Sequence, residues 1–336
     1  MQDGVYRPIL RPRRGELTAV QHLDGAASAR VMPIFEVDPG TDLVPLVKAH
    51  RPGTPAIGVD LGSVPDSPDP LVAPALDLAE RLGDLGVPLV PVLRPHDSRR
   101  RLAEHGLAAR MHLDHALFRL QPHADATNPA EATAVADRVL RGVGLQPGAV
   151  DLMIDLAETA CVAHADAVEE RARRVLRWAR GWPWRSISVA SGAMPPNLDD
   201  LPTDEPVAVG RLDARVWGRL AEADVGYADY GVTSPVRRRG VQYHRQLPTL
   251  RYTAERDWWI YRWARRGGRS DDRCHDLCRT LVGSEQWPAE GARYSWGDAQ
   301  IARRARTARG AGSPAGWMAW STSHHVAYVL RSLTTR

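Results

Sequence analysis

The chain repeats one unit: a short apolar run, typical of a buried strand, ends at or beside a charged residue, and a helical stretch follows. Eight such runs can be read: Tyr6–Arg11, Val31–Val37, Ala56–Leu61, Leu89–Arg94, Ala116–Leu120, Asp151–Leu156, Ser186–Ala190 and Gly226–Gly231. Eight strand-then-helix units predict an α/β chain folded as a (β/α)8 TIM-like barrel, which needs roughly 250 residues. The intervening stretches have helical spacing. Asp69–Leu85 carries Leu71, Leu76, Leu78 and Leu82, and Asn128-Pro129 reads as an N-cap followed by proline in the first turn. Glu16–Ala29, Asp42–Arg51, Pro129–Val143 and Ala163–Arg180 complete the set of predicted barrel helices. Pro8, Pro33 and Pro91 lie within strand runs and argue against a regular sheet, since proline donates no ladder bond.

After Gly231 the pattern changes, which predicts a barrel over residues 1–231 and a Trp- and Arg-rich, α-rich extension over 232–336 packed on it. The extension is read as a basic loop at 236–245, the segment LRYT at 250–253, and helices over Glu255–Arg266 and Asp271–Val282. A last helix is expected to begin near Ser321–Ser323. Residues 231–336 hold 19 Arg, no Lys and 8 Asp or Glu, a net of +11; the remainder holds 25 basic and 32 acidic residues, a net of −7. Such a split points to a polyanionic partner for the C-terminal part. The competing explanation is compositional: Lys48 is the only lysine, and an excess of Arg, Ala, Gly and Pro is typical of GC-rich genomes.

No run approaches the roughly 20 apolar residues of a membrane span. The opening has no signal-peptide core, so a cytoplasmic protein is expected. Three cysteines, Cys161, Cys274 and Cys278, argue against a disulfide framework. Phosphate-binding glycine loops, H-E-x-x-H and G-x-S-x-G are absent, and Lys48 falls in a helix rather than a strand, which disfavours Schiff-base chemistry.

Several segments in order resemble the "beta protein" family, named for a bacteriophage T4 protein. They are YRPILRPRRGELTAVQHL followed by VMPIFEV, then DYGVTSP at 229–235, LRYT at 250–253 with a following Trp, Cys278-Arg279, SWGDAQI at 295–301, Trp320, and the pair His324-His325. The resemblance spans almost the whole chain. It implies one conserved unit with a barrel-like first part and, because members resemble components of phage–host conflict modules, a role in antiviral defence. It implies no reaction and no catalytic residue list.

Candidate chemistry gathers at the strand ends. Glu36, Asp60, Arg94, Asp155, Glu158 and Asp229 each stand at or just past the end of a predicted strand, where a barrel would bring them to one mouth. Convergent carboxylates could hold Mg²⁺ or Mn²⁺ or serve as acid and base; alternatively, an Arg–Asp network simply seals the mouth. Arg251 and Tyr252, beside Tyr230, could bind an anion or pack beneath the extension. Of the adjacent His324 and His325, one could point into the mouth as an acid/base group; His325 is the candidate. Cys274 and Cys278, at i and i+4, lack the second pair that structural zinc needs. Arg237, Arg238 and Arg239, with the arginines of 303–309 and the neighbouring tryptophans, make a phosphate- and base-binding set suited to single-stranded nucleic acid. Two functions follow as expectations. One is a recognition protein of a defence-type module, binding nucleic acid or a nuclease partner through the basic region. The other is a metal-dependent enzyme acting on a phosphate-bearing substrate at the mouth.

Overall fold

The computed structural model describes residues 5–69, 71–112, 114–122, 128–159, 161–220, 225–236, 247–264, 271–307 and 312–334, with 271 and 272 described by backbone only. The eight predicted strand runs all form strands: β1 (Arg7–Leu10), β2 (Ile34–Glu36), β3 (Ile57–Asp60), β4 (Leu89–Leu93), β5 (Ala116–Leu120), β6 (Val150–Glu158), β7 (Ser186–Gly192) and, after an intervening β8 (Pro206–Gly210), β9 (Val225–Asp229). Eight of these nine close a parallel barrel in the order β1-β2-β3-β4-β5-β6-β7-β9. Pro8 and Pro91 sit inside β1 and β4. The closed barrel accommodates them because each of these strands is paired on both sides through its other residues.

Helices α1 (Arg14–Gln21), α2 (Gly25–Ser28), α3 (Leu43–Ala49), α4 (Pro74–Asp84), α5 (Arg99–Met111), α6 (Pro129–Val143), α7 (Val162–Ala179) and α8 (Leu212–Leu220) link the barrel strands. Asn128 caps α6 as expected, its side chain accepting from the N–H groups of Ala130 and Glu131. Strand residues alternate. Phe35, Val59, Phe118 and Ile154 pack outward under the helices. Ile9, Ile34, Val90, Leu117, Met153 and Ala228 fill the barrel interior. No described helix is long and apolar enough to cross a membrane.

The C-terminal part is rich in helix, as expected, but it also contains two strands. The expected helix over Glu255–Arg266 is instead β11 (Asp257–Arg262). It runs antiparallel to β10 (Thr249–Thr253) on one side and to β8 on the other. Its two faces explain why: Trp258 and Ile260 pack with Met194 and Leu198, while Trp259 and Tyr261 face a second cluster. Aromatic and β-branched residues covered on both sides favour an extended strand over a helix. Helices α9 (Asp271–Val282), α10 (Trp296–Arg306) and α11 (Pro314–Thr334) complete the unit, and α11 starts well before the expected Ser321.

The boundary expected at residue 231 is crossed twice. Strand β8, from the first part, completes the sheet of the second. In return, α11 lies against the outside of the barrel, where Val326, Val329 and Leu330 pack on Tyr6 and Tyr227. Its approach to α1 is close: a Cβ on Gly15 would stand 2.7 Å from the Ala315 carbonyl oxygen. Eight strands have seven connections, the first carrying both α1 and α2, which leaves the place outside β9 and β1 without a connecting helix, and α11 packs there.

Candidate functional site

The strand-terminal end of the barrel is filled by one side chain that the strand-end survey passed over. Arg119 of β5 points inward and is 1% exposed. Its Nη1 donates to Glu36 Oε1 at 2.8 Å and to Asp60 Oδ2 at 2.7 Å. Its Nε donates to Asp155 Oδ2 at 2.9 Å, and its Nη2 to the Tyr230 hydroxyl at 2.8 Å. Tyr230 in turn donates to Asp155 at 2.8 Å, and the Gln121 side-chain amide donates to the same carboxylate at 2.7 Å. Arg94, half-buried, reaches Asp60 at 3.2 Å. Burial works against ionising Asp60, but Arg94, Arg119 and the Gly62 N–H outweigh it and bring its pKa down to about 2. Asp155 is likewise buried yet held below the usual carboxylate range by Arg119 and Gln121.

The structure therefore brings Glu36, Asp60, Arg94 and Asp155 together, with Arg119 and Tyr230 between them. It does not bring Asp229 to that cluster. Asp229 ends β9 at the same pole, but strand alternation sends Ala228 and Tyr230 inward and Asp229 outward. There it accepts from the Tyr6 hydroxyl at 2.6 Å and from His325 Nε2 at 2.8 Å. His325 likewise does not enter the mouth: it stands on α11, outside the barrel, with Nδ1 2.9 Å from the Thr253 hydroxyl.

Thr253, His325 and Asp229 reproduce the spacing of a nucleophile, a base and its orienting carboxylate. Their exposures are 2%, 0% and 0%, so no substrate carbonyl can approach the hydroxyl. Burial opposes the Asp229 carboxylate, and His325, Tyr6 and the Gly231 N–H together keep its pKa below the ordinary value. The arrangement locks α11 to the barrel. A parallel clamp uses the neighbouring residue. His324 Nδ1 meets Asp298 at 3.0 Å, its Nε2 meets the Thr253 carbonyl at 2.9 Å, and its ring stacks on Tyr252 at 3.7 Å between centroids. The Tyr252 hydroxyl donates to Asp298 at 2.7 Å, so this expected anion ligand is turned into the interior. Arg251 is half-buried and lies against Met318, not at an open surface. A Cβ on Gly297 would stand 2.2 Å from the Trp320 carbonyl oxygen, which accounts for glycine beside Asp298 where α10 crosses α11.

Arg237, Arg238 and Arg239 lie outside the described residues. Cys274 and Cys278 are both buried in the core of the C-terminal part. Among the described residues no group of three His, Cys, Asp or Glu is placed to hold a metal ion. At the mouth the positive charge that Mg²⁺ or Mn²⁺ would contribute is contributed by two guanidiniums, so the carboxylates there do not fit a resident divalent cation.

Glu16, in the first turn of α1 under α11, is also buried. Burial raises its pKa to about 7, against the pull of Arg13, Arg11 and Arg251. Its folded value lies above its unfolded one, so stability from this site is fullest at low pH. It declines as pH rises from about 4.5 to 7, by ~3 kcal/mol in all. Asp97, raised to about 6, acts in the same sense, and His105, lowered to about 4, in the opposite one. Glu16→Gln isolates the effect. Urea unfolding should show the variant gaining on the wild type between pH 4.5 and pH 8, and a gap independent of pH would contradict the assignment.

Fold and site thus define a closed parallel (β/α)8 barrel whose mouth is sealed by a buried arginine–carboxylate network and whose last helix is clamped by two histidines. The family model described as "Beta protein" matches residues 6–331. The chain belongs to that family. No curated protein matches it. Among solved structures it is similar to AQ1208 from Aquifex aeolicus, with 13% identity, a TM-score of 0.39, and coverage of 66% of this chain and 51% of that one. It is also similar to the triosephosphate isomerase of Bartonella henselae, with 12% identity, a TM-score of 0.36, and coverage of 68% and 94%. The chain thus spans about half the length of the first of these.

Proposed function

We propose that the chain is a recognition component of a phage-defence-type module, and that it binds nucleic acid through the basic C-terminal part. One observation carries this reading. The arginines of the mouth are buried among carboxylates, whereas a second set is exposed on α9 and α10. His275 Nδ1 bonds the Arg304 carbonyl oxygen at 2.8 Å, tying the last turn of α10 to the flank of α9. Arg303 and Arg306 are exposed in that last turn, and Arg279, also exposed, lies one helical turn beyond His275. A cationic edge of this kind suits a phosphate backbone, whose contacts release counterions. The enzyme reading is less favoured, because the carboxylates it requires are engaged by Arg119 and withdrawn from solvent.

The test is fluorescence anisotropy with single-stranded DNA and RNA over a salt series. Affinity should fall steeply with salt. Replacing Arg279, Arg303 and Arg306 together by Ala should weaken binding and reduce the magnitude of the log–log salt slope by about 2. Stability should change by less than about 1 kcal/mol, since exposed charges contribute little to folding. The same series with Arg237, Arg238 and Arg239 replaced tests the other basic segment. No binding at low salt would overturn the nucleic-acid reading and turn the search to a nuclease-type protein partner.

A further inference from the structure

The pole of the barrel where the strands begin holds a second polar cluster, and this one borders a cavity. Arg7 starts β1, Ser186 starts β7, Asp151 is the second residue of β6, and His115 immediately precedes β5. Asp151 accepts from Ser186 Oγ at 2.5 Å, from His115 Nε2 at 2.7 Å and from Arg7 Nη2 at 2.9 Å. The hydroxyl is bonded to the carboxylate and not to the imidazole, so the trio does not make an activated nucleophile. Burial opposes the Asp151 charge, but these three partners hold its pKa well below the ordinary range.

The cavity has a volume of about 310 Å³. Arg7, His115, Asp151, Ser186 and Arg185 line one side of it, and Val5, Val31, Met32 and Ala56 are among the apolar residues of the rest. Ala29 and Pro55, both exposed, mark its rim. Arg7 is only 6% exposed, yet its Nε–H has no hydrogen-bond partner among the described residues. A buried donor without an acceptor is unfavourable, and an acceptor placed in the cavity would relieve it. Because the donor belongs to a guanidinium, a negatively charged acceptor makes the stronger, charge-assisted bond.

We infer that this pole binds a small organic anion, an oxyanion head on a compact apolar body, with the head bonded to Arg7 and the body against Val31, Met32 and Ala56. The inference is independent of the nucleic-acid reading, because the cavity and the exposed arginines of α9 and α10 share no residue.

Calorimetric titration of the full chain with benzoate, phenyl phosphate and benzamide tests it. Benzoate or phenyl phosphate should bind saturably, and the better of the two identifies the head group as carboxylate or phosphate. Benzamide, with the same ring and no charge, should bind about tenfold more weakly or not at all. Ala29→Trp, at the exposed rim, should abolish binding while leaving the polar cluster intact. Arg7→Met should weaken it by about tenfold or more; should that variant fail to fold, Ala29→Trp decides alone. Absence of binding by both anions, equal binding of benzamide, or unchanged binding by Ala29→Trp would each overturn the inference.

Discussion

Arg119→Met should remove most of the stability of the barrel. The substitution keeps much of the side-chain volume but leaves Glu36, Asp60 and Asp155 facing one another with no guanidinium between them. Removing one partner of a single buried ion pair costs roughly 3–5 kcal/mol, because the remaining charge stays buried and uncompensated. Here three carboxylates share the lost partner, so the expected loss is at least ~5 kcal/mol, comparable to the whole stability of many domains. Low soluble yield, or urea unfolding shifted far toward zero denaturant, is the expected outcome. Arg119→Lys keeps the charge but not the fork that reaches four oxygens at once, and should fall between the two. A metal arm discriminates further. In any folded fraction of Arg119→Met, millimolar Mg²⁺ or Mn²⁺ should raise the melting temperature, since like charges brought together favour a cation. The wild type should not respond. A variant within about 1 kcal/mol of the wild type would contradict the central role given to this arginine.

His325→Ala should cost ~3–5 kcal/mol and loosen α11 before the rest of the barrel. It leaves the fully buried Asp229 Oδ2 without its hydrogen-bond partner and the Thr253 hydroxyl unbonded on that side. Amide exchange should locate the effect: protection along Pro314–Thr334 should drop more than protection in β3–β5, which lie around the ring from the β9 and β1 side that α11 covers. Asp229→Asn should cost less, because the amide oxygen in the Oδ1 place can still accept from the Tyr6 hydroxyl and the Gly231 N–H, so that only the contact with His325 changes. If His325→Ala instead retained full stability and normal exchange along α11, the clamp assignment would be wrong and the Thr253–His325–Asp229 alignment would have to be reconsidered as chemistry.

The barrel was legible because its signal is repeated. Eight apolar runs at regular spacing overdetermine the topology, so proline in two strands did not mask it. The mouth was legible in part. Terminal charges such as Glu36 and Asp60 stand out at the edge of an apolar run, whereas Arg119 is embedded one residue inside its strand and reads as an interruption. Alternation could have found it: Phe118 and Leu120 must face the helices, which leaves Leu117 and Arg119 pointing inward. The same rule would have sent Asp229 outward, away from Tyr230. The helix expected over Glu255–Arg266 failed for a different reason. A short, continuously apolar and aromatic run suits a strand or a helix equally until something decides which faces are covered.

The segments that carry the family resemblance show the same division. Their residues, Asp229, Tyr230, Tyr252, Thr253, Asp298, His324 and His325, are polar and dispersed over about a hundred positions, which in sequence suggests a catalytic set. Folding sends Tyr230 to the mouth network and joins the others into buried hydrogen-bonded clamps between β9, β10, α10 and α11. The sequence by itself determined the order of the eight barrel strands, the closed parallel barrel and the charge asymmetry, because periodicity and composition are properties of neighbouring residues. Only the tertiary structure decided which polar residues meet, that an arginine closes the mouth, that the last helix belongs to the barrel's outer ring, and that a cavity lies at the pole where the strands begin. Those outcomes depend on contacts between residues far apart in the chain, which no local pattern encodes.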